Sequence, residues 1–279
     1  MLRADAPFVR SHSVFHRRNT MDKVMKDKNL FDISGKIALI TGSGTGLGEG
    51  YAHVFAEAGC TVICADINTE AANGTVADII AQGGKAEALF VDVTKLDSIK
   101  AMCSEIMEKY GRIDILINNA GVEDINNFVD VTERQYDKIH AVNMRGVFFV
   151  AQQVARCMKE TGGGKIINIG SLGSYIGLAE SSVYCSTKGG VIQLSKTMAI
   201  ELADANIQVN CVAPGYFITP MTQPFFDNPE HRAWIEGRIP LGRWGTVADL
   251  AGPMLFLASP ASDYVTGVTI KVDGGWLAS

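Results

Sequence analysis

Seven short apolar segments, rich in Val, Ile and Leu, recur along the chain from about residue 35. They are KIALIT (36–41), TVICAD (61–66), AEALFVD (86–92), IDILIN (113–118), KIINIG (165–170), IQVNCVA (207–213) and VTIKVDGG (268–275). Amphipathic segments with helical spacing separate most of them. Continuously apolar strands that alternate with helices are buried on both faces, which is typical of a parallel sheet. The pattern therefore predicts an α/β fold with a doubly wound, seven-stranded parallel sheet flanked by helices.

The rest of the chain divides into an N-terminal arm, one domain and a long insertion. Residues 34–279 contain no linker, repeat or low-complexity stretch, so we predict a single domain there. Residues 1–33 begin with twenty residues that hold four Arg and one acid, which we interpret as an extension or arm rather than a transit peptide. Long helices are predicted at 132–160 and 181–204. The interval 214–246 follows the sixth strand and is a candidate substrate lid.

Composition narrows the classes of partner and compartment. The net charge of −5 argues against nucleic acid or an anionic membrane as the main partner. The sequence contains no run of 18 apolar residues, so no membrane-spanning helix is predicted. The six cysteines form no CxxC pair, which indicates free thiols in a reducing, cytoplasmic environment. With no HExxH and no Cys/His cluster, no metal site is predicted.

A glycine-rich turn, TGSGTGLG (41–48), joins the first strand to a predicted helix. Glycines at 42, 46 and 48 let the backbone turn tightly and approach a pyrophosphate, which the positive end of the helix attracts. This context favours dinucleotide binding over an ordinary glycine turn. Asp66 ends the second strand, where its carboxylate can accept hydrogen bonds from the adenosine ribose and repel a 2′-phosphate. With no Arg after the turn, the sequence predicts NAD rather than NADP, although Asp66 could also be a helix cap.

Two more strand ends carry polar or small residues. Asp92 and Val93 follow the third strand and could meet the adenine. The NNAG segment (118–121) follows the fourth strand, where small residues allow a close approach to a cofactor. Either segment could instead be ordinary turn chemistry.

The segment YCSTK (184–188) places a tyrosine four residues before a lysine. If the segment is helical, both side chains lie on one face, and the ammonium would lower the pKa of the tyrosine toward neutrality. That pairing would make a proton donor and acceptor near neutral pH. A surface Tyr–Lys pair is the alternative, and the spacing alone cannot decide between them.

Several motifs in a fixed order resemble those of the short-chain dehydrogenases/reductases, and the resemblance covers about residues 34–279. The motifs are TGxxxGxG at 41–48, Asp92, NNAG at 118–121, Asn143, Ser171, YxxxK at 184–188, Pro214–Gly215 with Thr219, and VDGG at 272–275. Tyr184 follows Ser171 by thirteen positions, which is the usual interval of the family. The two ends of the chain are similar to the branch of gluconate 5-dehydrogenases and 2-deoxy-D-gluconate 3-dehydrogenases.

The resemblance implies a Rossmann-type fold and assigns roles to the motif residues. Tyr184 would be the general acid and base, Lys188 would lower its pKa, and Ser171 would bind the substrate oxygen. Asn143 would hold a water that links Lys188 to solvent. The implied cofactor-binding residues are Gly42, Thr45, Gly46, Leu47, Gly48, Asp66, Ile67, Asp92, Val93, Asn119, Ala120, Gly121, Tyr184, Lys188, Pro214, Gly215, Phe217 and Thr219. The substrate set is Ser171, Gly173, Glu180, Tyr184 and Tyr216.

The function implied by the resemblance is NAD-dependent hydride transfer to or from a secondary alcohol or ketone, with a sugar acid or polyol as the expected small-molecule substrate. The alternatives are a 3-oxoacyl-type or other ketone reductase and, from another class, a non-catalytic dinucleotide-binding sensor. The family also implies a homotetramer, built on the long helices at 132–160 and 181–204.

Overall fold

The computed structural model describes residues 29–279. Seven strands form one parallel sheet in the order β3-β2-β1-β4-β5-β6-β7. The strands are β1 Ile37–Thr41, β2 Thr61–Asp66, β3 Lys85–Phe90, β4 Ile115–Asn118, β5 Gly164–Ile169, β6 Ile207–Pro214 and β7 Thr269–Val272. Each strand lies within or next to an apolar segment of the sequence. The predicted seven-stranded, doubly wound α/β fold is confirmed.

Helices connect the strands and cover both faces of the sheet. They are α1 Gly46–Glu57, α2 Thr69–Ala81, α3 Leu96–Tyr110, α4 Glu133–His140, α5 Val147–Thr161, α6 Ser182–Glu201, α7 Gln223–Asp227, α8 Pro229–Glu236 and α9 Val247–Ala258. Among residues 29–279, no helix has the length and hydrophobicity that crossing a membrane requires.

Successive side chains of a strand pack on opposite faces of the sheet, so the core has two layers. Leu39 packs with the layer that contains α3 and α5, whereas its neighbours Ala38 and Ile40 pack with the layer of α1, α2 and α9. Successive strand residues point to opposite faces of a sheet, so a strand that is apolar at every position is buried on both sides. All five residues of β1 are buried. Because all neighbouring strands are parallel, their carboxyl ends lie at one edge of the sheet, where ligands bind in such folds.

The helix predicted over 132–160 is interrupted. After α4, residues Ala141–Gly146 form a wider π-helical turn before α5 begins at Val147. Asn143 lies in this turn and is fully buried. Such turns are rare and often occur at functional sites. The second long helix, predicted over 181–204, is α6 at Ser182–Glu201.

The domain begins slightly before the predicted boundary. Phe31–Ser279 form one compact unit, and Ile33 is buried, with its carbonyl accepting a hydrogen bond from the Cys60 thiol. Phe31–Ile33 therefore belong to the folded unit and not to the arm predicted over 1–33. Residues 1–28 lie outside the described part of the chain, and the extension stays a prediction there.

The segment 214–246, predicted as a lid, contains α7 and α8 and packs over the end of the sheet. Ile235, Ile239 and Trp244 form a small buried cluster with Leu172 and Trp276. This cluster is separate from the two layers of the main core. The segment therefore has its own apolar anchor beside the carboxyl edge of the sheet.

Candidate active site

A cavity of about 430 Å³ opens at the carboxyl edge of the sheet, between the glycine turn and the start of the lid segment. Every residue predicted to bind the cofactor lines this cavity, as do Ser171, Tyr184 and Lys188. The sequence analysis missed further lining residues, including Thr94, Val122 and Ile169. Thr94 and Val122 directly follow segments that it had identified, and Ile169 lies within the fifth apolar segment.

The glycine turn brings backbone segments closer together than side chains would allow. Gly42 and Gly46 have positive φ angles of 66° and 62°, which L-residues rarely adopt. A Cβ on Gly48 would lie 2.0 Å from the Gly42 carbonyl oxygen and 2.5 Å from the Asn119 amide nitrogen. The turn leads into the amino end of α1 at Gly46, where free N–H groups favour an anion. These features fit the pyrophosphate of a dinucleotide.

Asn119 and Thr41 tie this turn to the end of β4. The Asn119 side chain donates to the carbonyls of Thr41 and Gly42 at 2.9 and 3.0 Å. The Thr41 hydroxyl accepts from the amides of Asn119 and Ala120, both at 3.1 Å. The amide group of Asn119 therefore holds the backbone of the turn, and it acts on any ligand through that backbone.

The two aspartates at strand ends are also bonded to backbone. Asp66 accepts from the Gly44 and Asn68 amides, each at 2.9 Å. Asp92 accepts from the amide and the hydroxyl of Thr94, at 2.9 and 2.6 Å. Both carboxylates are thereby fixed at the cavity edge, and each can accept further hydrogen bonds because a carboxylate has about four acceptor sites.

Ser171, Tyr184 and Lys188 meet between β5 and α6. The Lys188 ammonium is buried, donates to the Ile169 carbonyl at 2.8 Å and lies 5.6 Å from the centre of the Tyr184 ring. The Ser171 hydroxyl accepts from the Gly173 amide at 3.1 Å. The hydroxyl of Ser174 joins the two elements, since it accepts from the Ser171 amide at 3.1 Å and donates to the Lys188 carbonyl at 2.8 Å.

Burial controls the ionisation of this group. It raises the pKa of Tyr184, and the Ser171 hydroxyl offsets only part of the rise. Burial also lowers the pKa of Lys188 to about 8. This direction is opposite to the lowered tyrosine pKa that the YxxxK spacing predicted, because the loss of water around the phenol disfavours its charged form.

Asn143 holds the loop after β4. Its side-chain nitrogen donates to the Val122 carbonyl, and its side-chain oxygen accepts from the Val122 amide, both at 2.8 Å. The resemblance suggested that Asn143 would hold a water, but both ends of its amide bond this backbone. The π-helical turn lets the side chain reach Val122 from the middle of a long helical stretch.

Of the predicted substrate residues, Ser171 and Tyr184 line the cavity, whereas Gly173, Glu180 and Tyr216 do not. Gly173 is buried and Tyr216 is half-buried, with its ring 5.4 Å from Trp244 and 5.2 Å from Trp276. Glu180 is exposed at a positive φ of 62°, and its carbonyl accepts from the Asn126 amide at 2.8 Å. The role of Glu180 in substrate binding therefore stays a prediction.

Another acid, Glu123, contributes to the electrostatic environment of Tyr184. Its Oε1 atom is buried and has no hydrogen-bond partner among the described residues. Its negative charge contributes to the raised pKa values of both Tyr184 and Tyr216. The sequence analysis missed Glu123, although its place two residues after NNAG is a signal that could have identified it. Within residues 29–279, no group of three or more His, Cys, Asp or Glu side chains could hold a metal ion.

Comparison with known proteins agrees with this geometry. A family model described as enoyl-(acyl carrier protein) reductase matches residues 42–277. The chain is 43% identical to the 2-dehydro-3-deoxy-D-gluconate 5-dehydrogenase of Escherichia coli over 249 residues, which cover 89% of this chain and 98% of the relative. The chain belongs to the short-chain dehydrogenase/reductase family. The resemblance predicted from the motifs is thus confirmed.

Other members of the short-chain dehydrogenase/reductase family act on different substrates at similar identity. The chain is 41% identical to the 3-oxoacyl-[acyl-carrier-protein] reductase of Thermotoga maritima, over 87% of this chain and 98% of the relative. The crystal structure of a gluconate 5-dehydrogenase from Burkholderia cenocepacia in complex with NADP and tartrate superposes with a TM-score of 0.87. It is 40% identical and covers 90% of this chain and 98% of that one. The present protein is therefore an oxidoreductase that acts on CH–OH groups and takes a nicotinamide dinucleotide.

Proposed function

We propose that the protein interconverts a secondary alcohol and a ketone on a sugar acid or polyol, with NAD as the preferred hydride carrier. The observation that carries the proposal is that Ser171, Tyr184 and Lys188 line the same cavity as the glycine turn. Gly42, Gly46 and Gly48 would hold the pyrophosphate. A bound nicotinamide dinucleotide would supply the hydride acceptor in oxidation and the hydride donor in reduction.

Residues of the chain itself transfer the proton. In oxidation, the phenolate of Tyr184 takes the hydroxyl proton of the substrate while the carbinol C–H leaves as hydride, and in reduction the phenol returns that proton to the ketone oxygen. The Ser171 hydroxyl binds this oxygen, where charge changes during the reaction. The Lys188 ammonium favours the phenolate against the opposing effect of burial. Its bond to the Ile169 carbonyl keeps it in place.

A preference for NAD is supported by Asp66. Two backbone amides fix its carboxylate at the end of β2, at the edge of the cavity. A carboxylate there accepts hydrogen bonds from ribose hydroxyls and repels a 2′-phosphate. Because the gluconate 5-dehydrogenase from Burkholderia cenocepacia was crystallised with NADP, NAD and NADP must be compared directly.

Arg238 in the lid supports a sugar acid as the substrate. Its guanidinium lies 4.7 Å from the centre of the Trp234 ring and 5.8 Å from that of Trp276. Arg232 pairs with Glu236 at 2.9 Å and Arg243 with Asp249 at 2.7 Å, and Arg145 donates to the Thr94 carbonyl. In the described part of the chain, the Arg238 guanidinium has no ion pair and no hydrogen-bonding partner, and only the backbone amide of this residue is bonded, to the Ile235 carbonyl at 3.0 Å. An oriented, unpaired guanidinium is suited to bind a carboxylate.

A panel of substrates tests the proposal through the reduced-nicotinamide absorbance band. We expect turnover with aldonates and alditols and little with 3-oxoacyl thioesters or simple ketones. Turnover of the thioesters alone would favour the reductase alternative. Tight cofactor binding without any turnover would favour a dinucleotide sensor.

The role of Arg238 is tested by comparing an aldonate with the corresponding alditol. Arg238→Gln should raise the KM of the aldonate roughly tenfold, equal to about 1.4 kcal/mol, and leave that of the alditol unchanged. Arg232→Gln, on the same lid segment, is the matched control and should change neither. Equal effects of the two variants would contradict a carboxylate site at Arg238.

The assembly and compartment are also proposed. Phe148 on α5 and Ile200 on α6 are 42% and 79% exposed, and such apolar side chains support helix pairing between copies in a homotetramer. All six cysteines are free, which supports a reducing compartment such as the cytoplasm. Light scattering coupled to gel filtration would give the mass, and a monomer would contradict the tetramer.

A further inference from the structure

Ser174 ends the short turn Leu172–Ser174, which follows Ser171 at the carboxyl end of β5. Its hydroxyl accepts from the Ser171 amide at 3.1 Å and donates to the Lys188 carbonyl at 2.8 Å. These bonds use the single proton of the hydroxyl and one of its lone pairs. Ser174 does not line the cavity. It therefore contacts two of the proposed catalytic residues through their backbones and lies outside the space for a ligand.

Lys188 binds the chain on both sides of Ser171. Its ammonium donates at 2.8 Å to the carbonyl of Ile169, two residues before Ser171. Its own carbonyl accepts from Ser174, three residues after Ser171. One residue of α6 thereby fixes both ends of the short segment that carries Ser171. Removing the Ser174 hydroxyl would release the second of these ends.

The turn also packs closely against the start of α6. A Cβ on Gly173 would lie 2.9 Å from the sulfur of Cys185, the residue next to Tyr184, and 3.5 Å from the Leu178 side chain. The Gly173 amide donates to the Ser171 hydroxyl at 3.1 Å, which leaves the proton of that hydroxyl to be donated. The position of this proton donor relative to α6 is therefore set by the turn.

We propose that Ser174 is a positioning residue, whose hydroxyl fixes Ser171 relative to the part of α6 that carries Lys188. This inference rests on the catalytic roles proposed above for Ser171, Tyr184 and Lys188. The Ser171 hydroxyl and the Tyr184 phenol must reach the same substrate oxygen, and a misplacement of about 1 Å can slow a reaction about 100-fold. A single hydroxyl that bonds both backbones keeps the two groups at a constant separation.

The test replaces Ser174 with alanine and uses Ser195→Ala as the matched control. Ser195 lies on α6, where its hydroxyl accepts from the Asn168 side chain of β5 at 2.9 Å and donates to the Val191 carbonyl at 2.8 Å. Each variant removes a hydroxyl that joins α6, through one accepted and one donated bond, to β5 or to the turn after it. Asn168 and Val191 have no proposed catalytic role, so only Ser174→Ala disturbs the catalytic group.

The reaction is followed with whichever substrate of the panel the wild type turns over fastest. We expect Ser174→Ala to lower both kcat and the single-turnover rate of hydride transfer about tenfold or more, while the Kd of the reduced cofactor, from fluorescence titration, stays within about twofold. Ser195→Ala should keep both rates within about twofold of the wild type. Because Ser195 is 1% exposed, its replacement should lower the melting temperature at least as much as Ser174→Ala, so lost stability does not explain the slower reaction.

A double-mutant cycle shows whether Ser174 acts through Ser171. Ser171→Ala leaves no hydroxyl to position, so adding Ser174→Ala should change the single-turnover rate by less than about threefold. A further loss of about tenfold on top of Ser171→Ala would overturn the proposal, because Ser174 would then act independently of Ser171.

The outcomes distinguish this proposal from the proposed function. If Ser174→Ala has the rates of the wild type, or if Ser195→Ala slows the reaction equally, only the positioning role of Ser174 is overturned. Near-normal turnover by Ser171→Ala would overturn the catalytic role of Ser171 and the positioning role with it. If the wild type turns over no substrate of the panel, the proposed function fails and the role of Ser174 fails too.

Discussion

Replacing the buried Lys188 with methionine should abolish turnover and yet stabilise the fold at neutral pH. The Lys188 side chain is 4% exposed, and its pKa falls from 10.5 to about 8 because burial disfavours the charged form. This fall corresponds to roughly 3 kcal/mol of lost stability below pH 8, since a tenfold change in an ionisation constant is worth about 1.4 kcal/mol. Methionine has a similar length and no charge, so it removes this cost.

The substitution also removes a hydrogen bond. Lys188 donates to the Ile169 carbonyl at 2.8 Å, and a buried carbonyl that loses its partner costs about 1–3 kcal/mol. The charge effect, roughly 3 kcal/mol, is larger than the midpoint of this hydrogen-bond cost, about 2 kcal/mol. We therefore expect Lys188→Met to be more stable than the wild type by about 1–2 kcal/mol at pH 7.

The stability difference between Lys188→Met and the wild type changes sign with pH. Between about pH 8 and pH 10.5, the unfolded chain binds a proton at Lys188 that the folded chain does not, so the wild type gains stability as pH rises. Above pH 10.5 the lysine is neutral in both states and the charge cost is absent. The advantage of Lys188→Met should therefore disappear, and reverse in sign, as pH rises through this window.

Thermal unfolding of both proteins at several pH values from 7 to 10.5 measures this difference, with a melting-temperature shift of about 2–4 °C per kcal/mol for a chain of this size. Lys165→Met is the matched control, because that buried ammonium bonds Asp263 at 2.8 Å and its removal should destabilise. A difference between Lys188→Met and the wild type that stays constant across this pH range would refute the reasoning.

Three further predictions concern the base, the glycine turn and the ribose carboxylate. Tyr184→Phe should lower kcat by about 10²–10⁴-fold while cofactor affinity, measured by fluorescence titration, stays within about threefold, and near-normal turnover would contradict its role. Gly48→Ala should abolish cofactor binding, because its Cβ would lie 2.0 Å from the Gly42 oxygen. Gly74→Ala is the control, because a Cβ at that position has no atom within 4 Å. It should stabilise α2 by about 0.5–1 kcal/mol. Asp66→Ala should raise the KM of NAD much more than that of NADP, and equal increases would count against a ribose contact.

The sequence by itself determined the fold class and the cofactor turn, because both depend on local requirements. A run of apolar residues such as IALI at 37–40 needs burial on both faces, and a sheet layered between helices provides it. Gly42 and Gly46 are glycines because the turn has positive φ angles. The spacing of Tyr184 and Lys188 on one helix was equally a local property.

Only the tertiary structure decided which side chains meet and in what electrostatic environment. The bonds from Asn143 to Val122 join residues 21 apart in the chain, and the bond from Lys188 to Ile169 joins residues 19 apart. No periodicity encodes such pairs, since they depend on how a π-helical turn and two strand ends pack. The spacing of YxxxK predicted a lowered tyrosine pKa, but the depth of burial, which only packing sets, reversed the direction. The same packing leaves Glu180 exposed and buries the Oε1 atom of Glu123.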